Sequence, residues 1–133
     1  MRGHLDHRLA KIYTAHRGDD ILGYVVIDVH EVRTLPEAIM VVLTPSGRVR
    51  SLHVLAFHEP LEYLPTERWY RQFEDRSLDE PLRLGGDIHG VVGSTLTAQA
   101  TAQAVRRALA YYEVLVVDDA SAGKASIQPG EDP

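Results

Sequence analysis

Residues Asp87-Ile88-His89-Gly90-Val91-Val92-Gly93-Ser94-Thr95-Leu96-Thr97 form a small-residue, hydroxyl-rich turn, and an alanine-rich run follows it without a break to Tyr112. The run predicts an amphipathic helix: Ala98, Ala102, Val105, Leu109 and Tyr112 share one face, while Gln99, Gln103, Arg106 and Arg107 turn to the others. The first turn of any helix carries four unpaired N–H groups and a partial positive charge, so a phosphate there gains hydrogen bonds and dipole stabilisation together. Gly93 would let such a ligand approach the backbone, and Ser94, Thr95 and Thr97 add hydroxyls at the same place. The same hydroxyls can serve as N-caps of an empty turn, and the motif alone does not choose between the two uses. Arg106 and Arg107 stand nearly three turns further on, roughly 14 Å along the axis at 1.5 Å per residue, too far to hold the same anion.

Working back toward the N-terminus, Arg76 to Gly86 is a polar connection that contains Pro81 and ends in Gly85-Gly86. Before it, Pro65 suits the first position of a helix over Thr66 to Asp75, with Trp69, Tyr70 and Phe73 at helical spacing. A short helix must bury a stripe to be stable, so these aromatic rings read as core before they read as cofactor contacts. Further upstream lie three strand signals with short turns between them. Ile21–Val32 (ILGYVVIDVHEV) alternates through Val25, Ile27 and Val29; Ala38–Thr44 is a near-continuous apolar run of the kind covered on both faces; Arg48–Phe57 follows the turn Pro45-Ser46-Gly47. Sequential strands with short turns predict an antiparallel meander, hence an α+β fold with two main helices, the second starting at the Gly-Ser-Thr turn. Residues 1–11 read as a frayed helix or a disordered lead, with ordered structure from Ile12 or near Ile21, and His4 and His7 lack the further ligands a metal site needs. Val114–Val117 reads as a last, edge strand. The expected organisation is one domain over 1–117 and a polar tail or linker over 118–133.

Composition bounds what this fold can do. With 133 residues and 44% hydrophobic content, the chain has material for one core. A net charge of −5 without a basic stripe argues against nucleic acid as a partner. There is no cysteine, which removes thiol catalysis, disulfides and thiolate-held clusters. No apolar run reaches the length of a membrane span, and the first ten residues have no signal-peptide core.

Taken together, GYVV, a strand pair, VLAFHEPLEYLP, ERWYRQFEDR, LRLGGDIHGVVGSTLT and an alanine-rich helix resemble, in that order, the FMN-binding domain family. That family includes flavin subunits of the sodium-translocating quinone reductase and of the Rnf electron-transport complex, and flavin domains of NosR-type regulators. The similarity spans about Ile21 to Val117 and is strongest at DIHGVVGSTLT, which is similar to a family pattern of the form D-I-D-A-V-S-G-A-T-L-S. The resemblance implies an FMN-carrying electron-transfer domain, usually outside the cytoplasm, with redox proteins, some of them membrane-bound, as partners and no insertion of this chain itself. It implies Thr95 at the position where many members carry FMN as a phosphoester, with Gly93 and Ser94 at the motif's glycine and alanine. His89 stands where the family has aspartate and Val92 where it has Ser or Thr, so the resemblance implies non-covalent FMN slightly ahead of a covalent phosphoester at Thr95. The resemblance also implies that His58 and Glu59, in His58-Glu59-Pro60, lie near the flavin ring; on residues alone they are a polar turn after a strand. Leu96 either covers a ring face or belongs to the core. A cofactor-free interaction or sensory module is the second functional reading, while a hydrolase using Ser94 or Thr95 lacks an identifiable base.

Overall fold

The structure, a computed structural model, describes residues 9–91 and 93–118. Strands β1 (Leu9–Arg17), β2 (Asp20–Glu31), β3 (Pro36–Leu43) and β4 (Val49–Phe57) form one antiparallel sheet in the order β1-β2-β3-β4. A single 3₁₀ turn at Leu61–Tyr63 leads to the short helix α1 (Glu67–Tyr70), which tightens to 3₁₀ geometry over Arg71–Phe73. An irregular connection then returns to the long helix α2 (Thr95–Tyr112), which packs on the sheet. This is the α+β meander with two helices that the sequence predicts. Among the described residues no helix is long and apolar enough to cross a membrane.

Three expectations are corrected. The meander has four strands, because residues 9–17, of which 9–11 read as a frayed helix or lead and 12–17 carry no strand assignment from sequence, pair with β2 from Leu9 opposite Val29 to Arg17 opposite Asp20. Gly18 and Asp19 close that hairpin as a two-residue turn, with Gly18 at φ 61°, the conformation such turns demand. Val114–Val117 is not a strand: the helix runs on from α2 as a wider π turn over Glu113–Asp118. No glycine or proline interrupts the chain there, so the helix propagates through valines that favour strands in isolation. Thr66, not Pro65, is the boundary residue of α1; its hydroxyl accepts the Trp69 N–H at 3.3 Å. His4, His7, Val92 and the tail beyond residue 118 lie outside the described residues.

Alternation along the strands sorts the sheet into two unlike faces. Tyr24, Val26, Ile39, Val41 and Leu43 are buried on the face that carries α2, where Ala98, Ala102, Val105 and Leu109 meet them. Each fully buried valine or leucine contributes about 1.5–3 kcal/mol by leaving water. The aromatic stripe of α1 is core as expected: Trp69 meets Tyr70 and Phe73 edge-on, at 5.1 Å and 5.4 Å between centroids. Val25, Ile27 and Val29 alternate to the other face and are only half-buried, as are Ala38, Met40 and Val42 of β3. Burial of β3 on both faces, expected from its apolar run, is therefore met on one face only among the described residues.

The helix-bearing face also holds charge. His30 lies 2.8 Å through Nδ1 from Asp28 and 2.7 Å through Nε2 from Glu37, and Arg107 of α2 donates twice to Asp28 at 2.9 Å and 3.0 Å. Asp28, His30 and Glu37 are at most 3% exposed. Burial alone would raise the Asp28 pKa, but hydrogen bonds with His30 and Arg107 and their charges outweigh it and hold the carboxyl below its ordinary 3.8. Burial alone would lower the His30 pKa, but its bonds to the two carboxylates and their charges raise it above 6.5.

The far end of α2 is pinned separately. The Tyr112 hydroxyl donates to the Pro45 carbonyl at 2.7 Å, and its ring occupies the space where a Cβ on Gly47 would stand, 2.3 Å from the nearest ring carbon. Gly47 has φ 87°. Gly47→Ala is expected to cost about 1–3 kcal/mol, from left-handed backbone strain and displacement of Tyr112; urea unfolding of the two proteins checks this, and equal midpoints would deny the contact.

The charged network predicts a pH profile. A raised His30 pKa stabilises the fold fully below pH 6.5 and loses that contribution as pH rises through the raised value; a lowered Asp28 pKa stabilises above pH 3.8 and is lost as pH falls through the lowered value. The melting midpoint should therefore fall as pH rises from 6.5 through the raised value, and His30→Gln should remove most of that alkaline slope. Calorimetry in matched buffers decides it: a slope that survives the substitution belongs to another group.

Candidate functional site

The turn before α2 is built by backbone geometry. Ser94 N–H donates to the Val91 carbonyl at 3.0 Å, and the Ser94 carbonyl accepts Ala98 N–H at 3.0 Å, opening the helix. Between them Gly93 takes φ 86°, and a Cβ placed on it would meet no atom within 4 Å. The glycine is thus required by conformation and faces open space. Ser94 is the N-cap residue, yet its side chain makes no capping bond. The use of these hydroxyls as an N-cap, left open by the sequence, is not made by Ser94 here. Ser94 and Thr97 are buried, at 5% and 1%, while Thr95 and Leu96 are exposed.

Two residues that sequence reasoning did not single out complete the place. Arg33, just after β2, and Tyr63, in the 3₁₀ turn, line a cavity of about 190 Å³ together with residues 93–97. The Arg33 guanidinium sits 5.0 Å from the centre of the Tyr63 ring, a cation–π contact that holds it on that side of the cavity. The exposed Arg33 thus lines the same cavity as the positive end of an 18-residue helix. Two sources of positive potential around a small polar concavity favour an anion, and the lining hydroxyls match phosphate oxygens.

Glu59 acts on this cavity indirectly. One carboxylate oxygen accepts both Thr34 N–H and Leu35 N–H at 3.1 Å, which ties the β2–β3 loop bearing Arg33 to the chain after β4. These backbone bonds, Thr34 first, overcome desolvation and hold the Glu59 carboxyl below its ordinary range. Its neighbour His58 is exposed and does not line the cavity. The His89 side chain is exposed too, and what counts at that position is backbone: His89 N–H donates to Gln72 at 2.7 Å and its carbonyl accepts the Trp69 indole at 2.6 Å. Asp87 staples the preceding loop by accepting Leu82 and Arg83 N–H at 2.9 Å and 2.7 Å, with Arg76 beside it. The conspicuous polar residues of the DIHG segment and of the His58-Glu59 pair thus shape and fix the loops. The cavity itself takes Gly93, Ser94, Thr95, Leu96 and Thr97 from the expected set. Arg33 had no signal in its own segment, since only the sheet topology brings it opposite residue 93.

Apolar surface surrounds this polar spot. Leu96 is 47% exposed at the cavity, and Leu61 and Leu35, in the segments that carry Tyr63 and Arg33, are 74% and 41% exposed. A larger groove of about 480 Å³ begins at the next residue, Leu64, with Leu52, Val54, Pro65 and Tyr70 as its apolar lining. Among the described residues no cluster of His, Asp and Glu could hold a metal ion. Comparison with known protein families and with curated proteins finds no match in either. Neither comparison supports the expected resemblance to the FMN-binding domain family.

Removing the Glu59 carboxylate leaves two backbone donors of the Arg33 loop without their acceptor. Glu59→Ala should lower the urea midpoint and speed amide exchange at Thr34 and Leu35; unchanged exchange at both amides would deny the tie.

Proposed function

We propose that this protein binds FMN and relays electrons between redox partner proteins, with the flavin phosphate seated at residues 93–97. The observation that carries this reading is the Arg33 guanidinium, stacked on Tyr63, in one cavity with Gly93, Ser94, Thr95, Leu96 and Thr97 at the N-terminus of α2. The residues fit the phosphate of such a group: Gly93 leaves open space where a Cβ would intrude, and Ser94 does not cap the helix. In this reading the backbone N–H groups at the start of α2 and the guanidinium bind the phosphate, Tyr63 positions the guanidinium, and Glu59 positions its loop. Leu96 offers apolar contact to the flavin body. FMN, when bound, supplies the capacity to accept and pass on electrons. The chain's part is to hold it by a dianionic phosphate against fixed positive charge, with Thr95 exposed at the seat.

One observation favours the other reading, a cofactor-free interaction module: the cavity of about 190 Å³ lies below the roughly 300–1,000 Å³ usual for enclosed small-molecule sites. In the flavin reading the ring lies outside that cavity, against the exposed leucines.

Retention of FMN after reconstitution and desalting separates the two. Arg33→Ala should weaken binding by at least about tenfold, the value of one charge-assisted contact, and Thr95→Val should weaken it less, while Arg106→Ala at the remote turn should leave it unchanged. A wild-type protein that retains no flavin would give the interaction-module reading, and equal retention in the wild type and Arg33→Ala would move the phosphate elsewhere.

A further inference from the structure

We infer that the sheet face opposite α2 is an interface between two copies of this chain. The inference stands independently of the flavin reading. Val25, Ile27 and Val29 of β2 and Ala38, Met40 and Val42 of β3 occupy that face and are half-buried, while their alternates opposite are almost completely buried. None of the six joins the core or packs against it. On the side away from α2 each of the two central strands carries an unbroken apolar row of three residues, as strands covered on that side do, and the described residues leave it without a packing layer. An antiparallel sheet that meets water on its second face ordinarily presents polar residues there.

The segments outside the described residues offer little to cover this face. Outside the described residues, 1–8 contain Met1 and Leu5 as their large apolar side chains, and 119–133 contain only Ile127. Those segments are too poor in apolar groups to bury six side chains across two strands. A second copy brings an apolar face of identical composition, so each buries the other's, as an isologous two-fold contact requires. The rim has the right character as well: cross-strand pairing puts Lys11 and Tyr13 of β1 beside Ile27 and Val25, and His53 and Ser51 of β4 beside Met40 and Val42. An uncharged centre inside a polar border is the composition of a protein interface. Four strands at about 4.8 Å spacing and eight residues at about 3.3 Å give roughly 500 Å² in flat projection. Side-chain relief adds to this, reaching the roughly 600–800 Å² per partner at which stable pairs begin. Two such faces would stack about 10 Å apart as a sandwich.

Sedimentation velocity tests the inference on the full chain over about 1–200 µM. The wild type should sediment as a dimer at the upper end, with a melting midpoint that rises with protein concentration. Ile27→Lys and Met40→Lys should be monomeric, with dissociation constants raised at least about 100-fold, because a lysine at the centre would be buried without a partner. The milder Val42→Thr, nearly the same shape, guards against misfolding and should weaken the dimer about tenfold at unchanged circular dichroism. A wild type that is monomeric throughout, with a concentration-independent midpoint, would overturn the inference and leave the face to a different partner; so would folded lysine variants that still dimerise.

Discussion

Glu37, His30, Asp28 and Arg107 form a buried line of alternating charge from β3 through β2 to α2. Its weight comes from direction. The rest of the contact between α2 and the sheet is small and apolar, Ala98, Ala102 and Val105 against Val26, Ile39 and Val41, and such surfaces tolerate sliding. A two-pronged guanidinium on a carboxylate does not, because both hydrogen bonds are lost together when the helix moves along its axis. Arg107 stands twelve residues after Thr95, about 18 Å along the helix. Fixing it there, and Tyr112 against the β3–β4 turn beyond, fixes where α2 begins. Burying these groups is costly, and the alternation of acid with base offsets that cost: Asp28 has the Arg107 guanidinium within 3 Å, and both carboxylates have the His30 ring, a cation when protonated, within 3 Å.

The position of that beginning gives the candidate site its chemistry. A helix N-terminus by itself is a common feature with several ordinary uses. Here the loop after β2 brings Arg33 to it, and the loop has no strand hydrogen bonds of its own beyond one between Val32 and Leu35. Glu59 supplies the missing acceptor for two more N–H groups. One carboxylate after β4 therefore sets the conformation of a loop 24 and 25 residues earlier, and through it the place of a guanidinium. Tyr63 takes up the guanidinium from the opposite side. Each of these contacts is modest alone; together they tie the backbone beside Arg33 and give its guanidinium an aromatic partner, which lowers the ordering cost of binding in the anion-site reading.

The legible part of the molecule was the part governed by local pattern. Alternation in Val25, Ile27 and Val29 and the turn at Pro45-Ser46-Gly47 placed β2, β3 and β4, and the alanine-rich stripe placed α2 with its buried face. Strand β1 escaped because its apolar signal is thin, Ile12 and Tyr13 among Lys11, His16 and Arg17, and an edge strand needs only one partner to form. Its Gly18-Asp19 turn was the available clue. Val114–Val117 was misread for the opposite reason: β-branched residues spoke for a strand, yet a helix already running had nothing to stop it. The site divides likewise. Residues 93–97 are contiguous and could be read, whereas Arg33, Tyr63 and the role of Glu59 depend on pairings between segments up to 60 residues apart. His89 and Glu59 stood out as polar side chains near the expected seat. The structure uses the backbone of the first and gives the second to a loop.

The two faces of the sheet also divide the molecule's tasks. Everything directional lies on one side: the ion network, the Tyr112 anchor, and α2, whose first turn borders the anion cavity. The other side is featureless aliphatic surface on the central strands, suited to burial and to little else. Pairing two copies through that second side places both α2 helices on the outside of the resulting sandwich. The cavities at their N-termini then remain open to solvent and to other proteins. Self-association and ligand binding therefore make no competing demand on the same residues. On these two readings a change on the aliphatic face would act on assembly and a change at Arg33 or at residues 93–97 on anion binding, with the ion network common to both because it holds the helix to the sheet.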